Sequence, residues 1–297
     1  LTRLPFDPEL FERVPFLAGR DRAGWRIQPI GSVTNETYRV TTGEEAESYV
    51  MRIAGPTTGY LDRGVETHNA AIAADLGLAP PLLFLDETLL VTRFVAGARA
   101  LSAADLNDPA TLVEMAGLLA RLQRSERPFR GERHPFEEID RYIGQHAHAR
   151  AVTLRQAAAP IEAALARSPR PLVPAHVDAA AANFLRGEDG RLWLVDWEFS
   201  SMADPAWDPA SVLMQRMADD DEPARRFVAA IFGAPNDGTL ARIGLFETTL
   251  CLVAGSWCAM EASARGDARL MWAANKYLDR CAAFLADPRM PHWLQVV

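Results

Sequence analysis

The sequence predicts an α+β chain, with a small antiparallel sheet carrying one helix over residues 1–96 and a larger, mainly helical region over 97–297. Two observations carry this reading. Before Gly97 the apolar residues alternate in short runs broken by turn residues, and after it they recur at three- and four-residue spacing. Size agrees, because 297 residues with 49% apolar side chains can bury a core without disulfides or a structural metal.

The strand signals are WRIQPI from Trp25, ETYRVTT from Glu36, SYVMRIAG from Ser48, then LLFLD and LLVTRFV before Gly97. One alanine-rich helix interrupts them, from about Asp62 to Leu76, with Gly77 as its stop. Past Gly97, Asp108-Pro109 supplies a cap and a first-turn proline, and Leu112, Met115, Leu119 and Leu122 share one helical face. Pro128 ends that helix, and a further helical stretch spans about Ala149 to Ala166, with Pro160 as a point of kinking or division. Two β-like segments follow, Val173 to His176 and Phe184 to Asp196, the second folded over Gly187–Gly190 as a hairpin. From Pro209 onward the sequence reads as helices.

Composition excludes several function classes. There are 31 basic and 39 acidic side chains, a net charge of −8, which argues against a general nucleic-acid or anionic-membrane binder. Lys276 is the one lysine, so Schiff-base chemistry is excluded elsewhere and any phosphate-holding cation has to be arginine. Cys251, Cys258 and Cys281 lack C-x-x-C spacing and are read as buried thiols of a reducing, cytoplasmic setting. The apolar stretch Leu250–Met260 is shorter than the ~18 residues of a membrane span and is expected to be a core helix. No basic segment followed by an apolar run opens the chain, so no secretory leader is expected, although the sequence begins at Leu1 and a removed segment stays open.

The chemistry is concentrated in HVDAAAANFL, from His176, and LWLVDWE, from Leu192. Asp178 and Asn183 stand five residues apart on an expected tight loop, and Asp196 ends the next hairpin arm. Phosphoryl transfer needs a carboxylate to receive the attacking hydroxyl's proton and hard oxygen ligands for Mg²⁺, and these residues supply both. An aspartate in a loop is by itself most often a turn former or cap, so the joint pattern H-x-D-x₄-N, hairpin, apolar strand, Asp carries the weight.

These residues resemble the choline/ethanolamine kinase branch of the aminoglycoside phosphotransferase-like kinases. So do SVTNETYRV from Ser32, YVMRIAG from Tyr49, DRGVETHNAAIAADLGLAP from Asp62, LVTRFVAG from Leu90 and DWEFSSMADPAWDPA from Asp196. The resemblance implies a bilobal protein-kinase-like fold with ATP and Mg²⁺ as cofactors, residues 1–96 forming the nucleotide-binding lobe and 97–297 the catalytic and substrate-binding lobe. It makes Asp178 the catalytic base, braced by His176, with Asn183 and Asp196 as Mg²⁺ ligands supported by Glu198. Asp208 would tie the loop to the following helix. Arg52 would take the phosphate-binding position with Glu66 as its ion-pair partner, Ser32, Thr34 and Asn35 would cover the phosphates, and Thr92 to Val95, with Thr92 and Phe94, would form the adenine hinge.

A choline-like acceptor is held by aromatic faces and carboxylates. Trp257, Trp272, Tyr277 and Trp293 are the aromatic candidates, with Glu261 one turn beyond Trp257, and the resemblance places Trp257 and Trp272 near cage positions. The chain departs from the family at Val177, where asparagine is usual, at Ala179 to Ala182, and at Ala254 in place of a cage aromatic. The expected activity is transfer to a hydroxyl of choline, ethanolamine or a related amino alcohol. An aminoglycoside or another hydroxylated metabolite remains open as acceptor, as does a kinase-fold binding protein without turnover. The run Asp219–Glu222 reads as a solvated acidic loop. The partner is a small molecule, and the sequence leaves the oligomeric state open.

Overall fold

The computed structural model describes residues 6–31, 35–43, 47–55, 61–216 and 221–297. In chain order the elements are β1 (Arg26–Pro29), β2 (Glu36–Thr41), β3 (Ser48–Ile53), α1 (Arg63–Asp75), β4 (Leu82–Leu85), β5 (Leu89–Arg93), β6 (Arg99–Ala100) and α2 (Pro109–Gln123). Next come α3 (Pro135–Gln145), α4 (Ala149–Ala157), α5 (Ala159–Arg167), β7 (Val173–Ala175), β8 (Phe184–Arg186), β9 (Leu192–Leu194) and β10 (Ser201–Ala203). Five helices follow among the described residues: α6 (Trp207–Leu213), α7 (Asp221–Phe232), α8 (Asp237–Arg265), α9 (Ala268–Leu285) and α10 (Met290–Val296).

The chain divides into two compact units, one of residues up to Arg99 with Leu185–Phe199, the other of Ala100–Phe184 with Ser200–Val297. The first unit is built on an antiparallel sheet in the order β1-β2-β3-β5-β4. Alternation in β2 and β3 turns Val40, Tyr49 and Met51 onto one face, where they bury against Phe11, Val14, Leu17, Leu89 and Val91. The opposite parity places Arg52 on the other face, facing Thr37 and Leu90 in the register. Asp62 caps α1 by accepting from the Val65 amide at 3.0 Å, and Gly77, with φ of 64°, follows the helix in the left-handed conformation expected of its stop.

In the second unit Leu112, Met115, Leu119 and Leu122 are all 0% exposed, the face predicted for α2. The stretch expected over Ala149–Ala166 is divided into α4 and α5 at Ala158, because Pro160 sits in the first turn of α5, where its missing N–H is tolerated. Helix α3 and strand β10 were not anticipated. Leu250–Met260 is the middle of α8, which is long and apolar enough to cross a membrane by length and composition, yet 78% of its most apolar window is buried inside the protein. Two glycines let neighbours reach it: a Cβ at Gly244 would stand 2.8 Å from the Trp293 ring, and one at Gly255 2.7 Å from Leu278. The three cysteines are free thiols and all buried.

Within α8, burial pushes the Glu247 carboxyl up to about 7, against the opposing pull of Arg280, Arg289 and Arg216. A carboxyl raised on folding contributes stability that is present below its unfolded value, near 4.5, and is lost as pH rises through 7. Glu247→Gln is therefore expected to match the natural protein in stability near pH 4.5 and to exceed it by up to about 3 kcal/mol at pH 8. Urea unfolding of both proteins across this range measures the difference, and parallel pH profiles would contradict it.

Candidate active site

In the first unit, five charged side chains and one amide form a connected network. Arg52, 13% exposed at its side chain, pairs with Glu66 through Nη2 and with Asp196 Oδ1 at 3.2 Å, and its Nη1 stands 4.0 Å from Glu198 Oε2. Burial alone would favour a neutral guanidine, but Glu66, Asp196 and Glu198 outweigh it and hold Arg52 above its ordinary range. Arg63, the first residue of α1, donates to Glu66 Oε2 at 2.7 Å and to Glu198 Oε2 at 3.5 Å, and through Nη2 to Asn35 Oδ1 at 2.9 Å. Asn35 Nδ2 donates in turn to Glu198 Oε2 at 2.8 Å. Arg63 is a residue that sequence reasoning missed; its one local signal is the three-residue spacing to Glu66 on a helix.

Asp196 has φ of 69°, left-handed backbone that is uncommon outside glycine and concentrates at functional sites. Of the expected phosphate loop, Asn35 is in the network, whereas Ser32 and Thr34 lie outside the described residues. Thr92 lies on β5 opposite Val50 and Leu82. Phe94 donates its amide to Ser48 O at 3.0 Å and carries the Arg39 guanidinium 4.0 Å from its ring centre.

In the second unit the residues after β7 form a loop pinned from beneath by Asp208, which is 0% exposed. The amides of His176 and Val177 donate to its Oδ2 and Oδ1, each at 2.8 Å, and Trp207 Nε1 donates to Val177 O at 2.8 Å. Burial, aided by the charge of Asp178, raises the Asp208 carboxyl to about 6 even though the two amide bonds favour its ionised form. Val177 has φ of 71°, a costly conformation for a β-branched residue that asparagine tolerates better. The left-handed Val177 is thus held in place by three hydrogen bonds, one on each of three successive peptide units.

Asn183 lies five residues past Asp178 on a 3₁₀ turn, Ala181–Asn183. Its Nδ2 donates to the Asp178 main-chain oxygen at 2.8 Å and to Asp178 Oδ2 at 2.9 Å, which turns the amide oxygen Oδ1 away from Asp178. Asn183 in the second unit keeps an amide oxygen, and Asp196 in the first a carboxylate, each by itself a hard donor of the kind Mg²⁺ takes. Among the described residues, no group of three or more His, Cys, Asp or Glu side chains is arranged to hold a metal.

The structure sorts the aromatic candidates. Trp257 and Tyr277 pack with Cys258, Ala259 and Ala274 where α8 meets α9. Burial pushes the Tyr277 phenol and the Cys258 thiol each up to about 12, and the charge of Asp178 acts in the same direction on both. Trp257 Nε1 is buried with no hydrogen-bond partner among the described residues. Glu261, 3% exposed, is paired with Arg265 at 2.6 Å. Trp272 is not brought to this cluster: it is 65% exposed, with Lys276 Nζ 5.5 Å from its ring centre. Trp293 packs on Gly244 and under Arg289. Of the acidic run, Asp219 and Asp220 lie outside the described residues, and Glu222 is paired with Arg226 at 2.7 Å.

The aspartate and asparagine bonded on a pinned loop, and the arginine–glutamate pair on a strand and helix, are features expected of a phosphotransferase. Residues 26–243 match the phosphotransferase enzyme family, and the chain belongs to it. A curated relative, protein LicA of Haemophilus influenzae, is 27% identical over 193 residues, covering 62% of this chain and 56% of its own length, so the match spans little more than half of that relative. Among solved structures, a choline/ethanolamine kinase family protein from Mesorhizobium loti is 26% identical with a TM-score of 0.82, covering 96% of both chains. The choline kinase LicA of Streptococcus pneumoniae is 24% identical with a TM-score of 0.77, covering 88% of this chain and 93% of its own. A LicA structure in complex with AMP is 23% identical, also at 0.77, covering 93% and 96%. The expected protein-kinase-like fold is the one these neighbours share.

Proposed function

We propose that this chain is an ATP- and Mg²⁺-dependent kinase that transfers the γ-phosphoryl group to a hydroxyl of choline, ethanolamine or a related amino alcohol. The observation that carries the reading is the bond from Asn183 Nδ2 to Asp178 Oδ2, made on a loop whose backbone Asp208 fixes. It holds one carboxylate oxygen of Asp178 in place and so orients the carboxylate that would accept the proton of an attacking hydroxyl, the role of the base in this reaction class. Asn183 and Asp196, supported by Glu198, would hold Mg²⁺, which when bound neutralises charge on the phosphate oxygens. Arg52, oriented by Glu66, is the cation for the phosphates, and Asn35 with Ser32 and Thr34 belongs to the loop that covers them. Thr92 and Phe94 mark the adenine hinge, and His176 braces the base. The first unit then binds nucleotide, and a LicA structure in complex with AMP supports a nucleotide ligand. The second carries the base and the acceptor.

For the acceptor, Trp257 with Glu261 supports an ammonium group, joined by Tyr277, whose ring lies in the same cluster. Trp272 would contribute from its exposed position. One observation favours a second reading: the unpartnered indole N–H of Trp257 suits an acceptor with oxygens, hence a more hydroxylated alcohol.

A coupled ADP-release assay with Mg-ATP over choline, ethanolamine, aminoglycosides and sugar alcohols tests the proposal. Turnover of choline or ethanolamine is expected. Turnover confined to the other alcohols overturns the acceptor, and no turnover together with no thermal shift by Mg-ATP overturns the kinase reading.

A further inference from the structure

In the first unit's network two guanidiniums serve three carboxylates, and the three are not equivalent. The side chains of Glu66 and Glu198 are 4% and 3% exposed, that of Asp196 35%. Arg63 meets both buried carboxylates and the amide of Asn35, is itself 9% exposed, and turns each of its Nη atoms onto a protein oxygen. Arg52 meets Glu66 and the exposed Asp196, and stands further from Glu198. If Arg52 leaves Asp196, both buried carboxylates keep a cation. If Arg63 is lost, the charge of Glu66 and Glu198 falls more heavily on Arg52, and buried carboxylates hold a guanidinium strongly.

We propose that Arg63 is a positioning residue for nucleotide binding: by neutralising Glu66 and Glu198 it allows Arg52 to engage the nucleotide's phosphates, and by holding Asn35 it fixes the end of the phosphate loop to the same carboxylate. The inference rests on the nucleotide-binding reading above. Arg63 acts through Arg52 and not on a phosphate itself, because both its Nη atoms are turned onto Glu66, Glu198 and Asn35 and it is 9% exposed. A cation serving only the stability of the fold would lower the unfolding temperature and leave affinity alone.

The test is a double-mutant cycle read by calorimetric titration of Mg-ATP, with thermal unfolding of each nucleotide-free protein alongside. Arg52→Met is expected to weaken Mg-ATP binding about 100-fold and Arg63→Met about 10-fold, while the double variant binds within about threefold of Arg52→Met, since residues acting through one another are not additive. Arg63→Lys, which restores charge but cannot reach three acceptors, recovers part of the loss. Where Arg63→Met does not fold, Arg63→Gln, which keeps a donor for Asn35, takes its place in the cycle. Additive losses, unchanged affinity in the Arg63 variants, or no recovery by lysine overturn the inference while wild-type binding stands. A folded wild type that binds no Mg-ATP overturns the nucleotide reading and this inference with it.

Discussion

Replacing Asp178 by asparagine is expected to lower kcat about 10³-fold, the contribution of a positioned general base, while Mg-ATP binds as before. Asparagine is the informative substitution because its side-chain oxygen can still accept from Asn183 Nδ2, which in the natural protein donates to Asp178 Oδ2 at 2.9 Å, so the loop is retained and only the proposed proton acceptor is removed. Steady-state rates by coupled ADP release, paired with calorimetric titration of Mg-ATP, read the two quantities separately. A variant keeping more than about a tenth of the activity would place the base elsewhere.

Asp208→Ala is expected to have the larger structural effect. The substitution strips acceptors from the amides of His176 and Val177 at a site where Asp208 is 0% exposed. Each buried donor left unsatisfied costs about 1–3 kcal/mol. Val177 adds to this, because its left-handed backbone persists only while its surroundings over-determine it. Lower stability in urea and a fall in kcat of about 100-fold or more are expected together, since misplacing the base by about an ångström is enough. Full activity in a folded Asp208→Ala protein would show that the loop holds its shape without this carboxylate.

Much of the fold was legible because one-sided burial leaves a mark on sequence. Tyr49 and Met51 alternate with their neighbours on β3, and Leu112, Met115, Leu119 and Leu122 repeat on α2. Helix α3 went unread although Phe136, Ile139 and Tyr142 are buried on one face of it. One of its buried positions is Glu138, held by Arg133 at 2.7 Å and Tyr142 at 2.9 Å, so a charged residue stands where the period asks for an apolar one. The loop of Asp178 and Asn183 was readable because the bond spans five residues. Arg63 was not, because its partners Asn35 and Glu198 are 28 and 135 residues away, and no local pattern encodes such a meeting. The aromatic residues of α9 show the same limit. Trp272 and Tyr277 are five residues apart, about 140° around a helix, and which of them faces α8 is decided by Cys258 and Ala274 rather than by residue type.

The division of the chain has a consequence for its synthesis. The sheet unit draws its last segment from Leu185–Phe199, and that segment carries Asp196 and Glu198. A nascent chain that has emerged only to Arg99 holds Arg52 and Arg63 with Glu66 as the one carboxylate of the network yet made. On the ribosome the amino-terminal unit therefore waits through the following hundred residues, roughly 5–20 s at ordinary elongation rates, before its buried charges can balance. In this protein the part begun first is still incomplete when most of the opening half of the second, Ala100–Phe184, has been made.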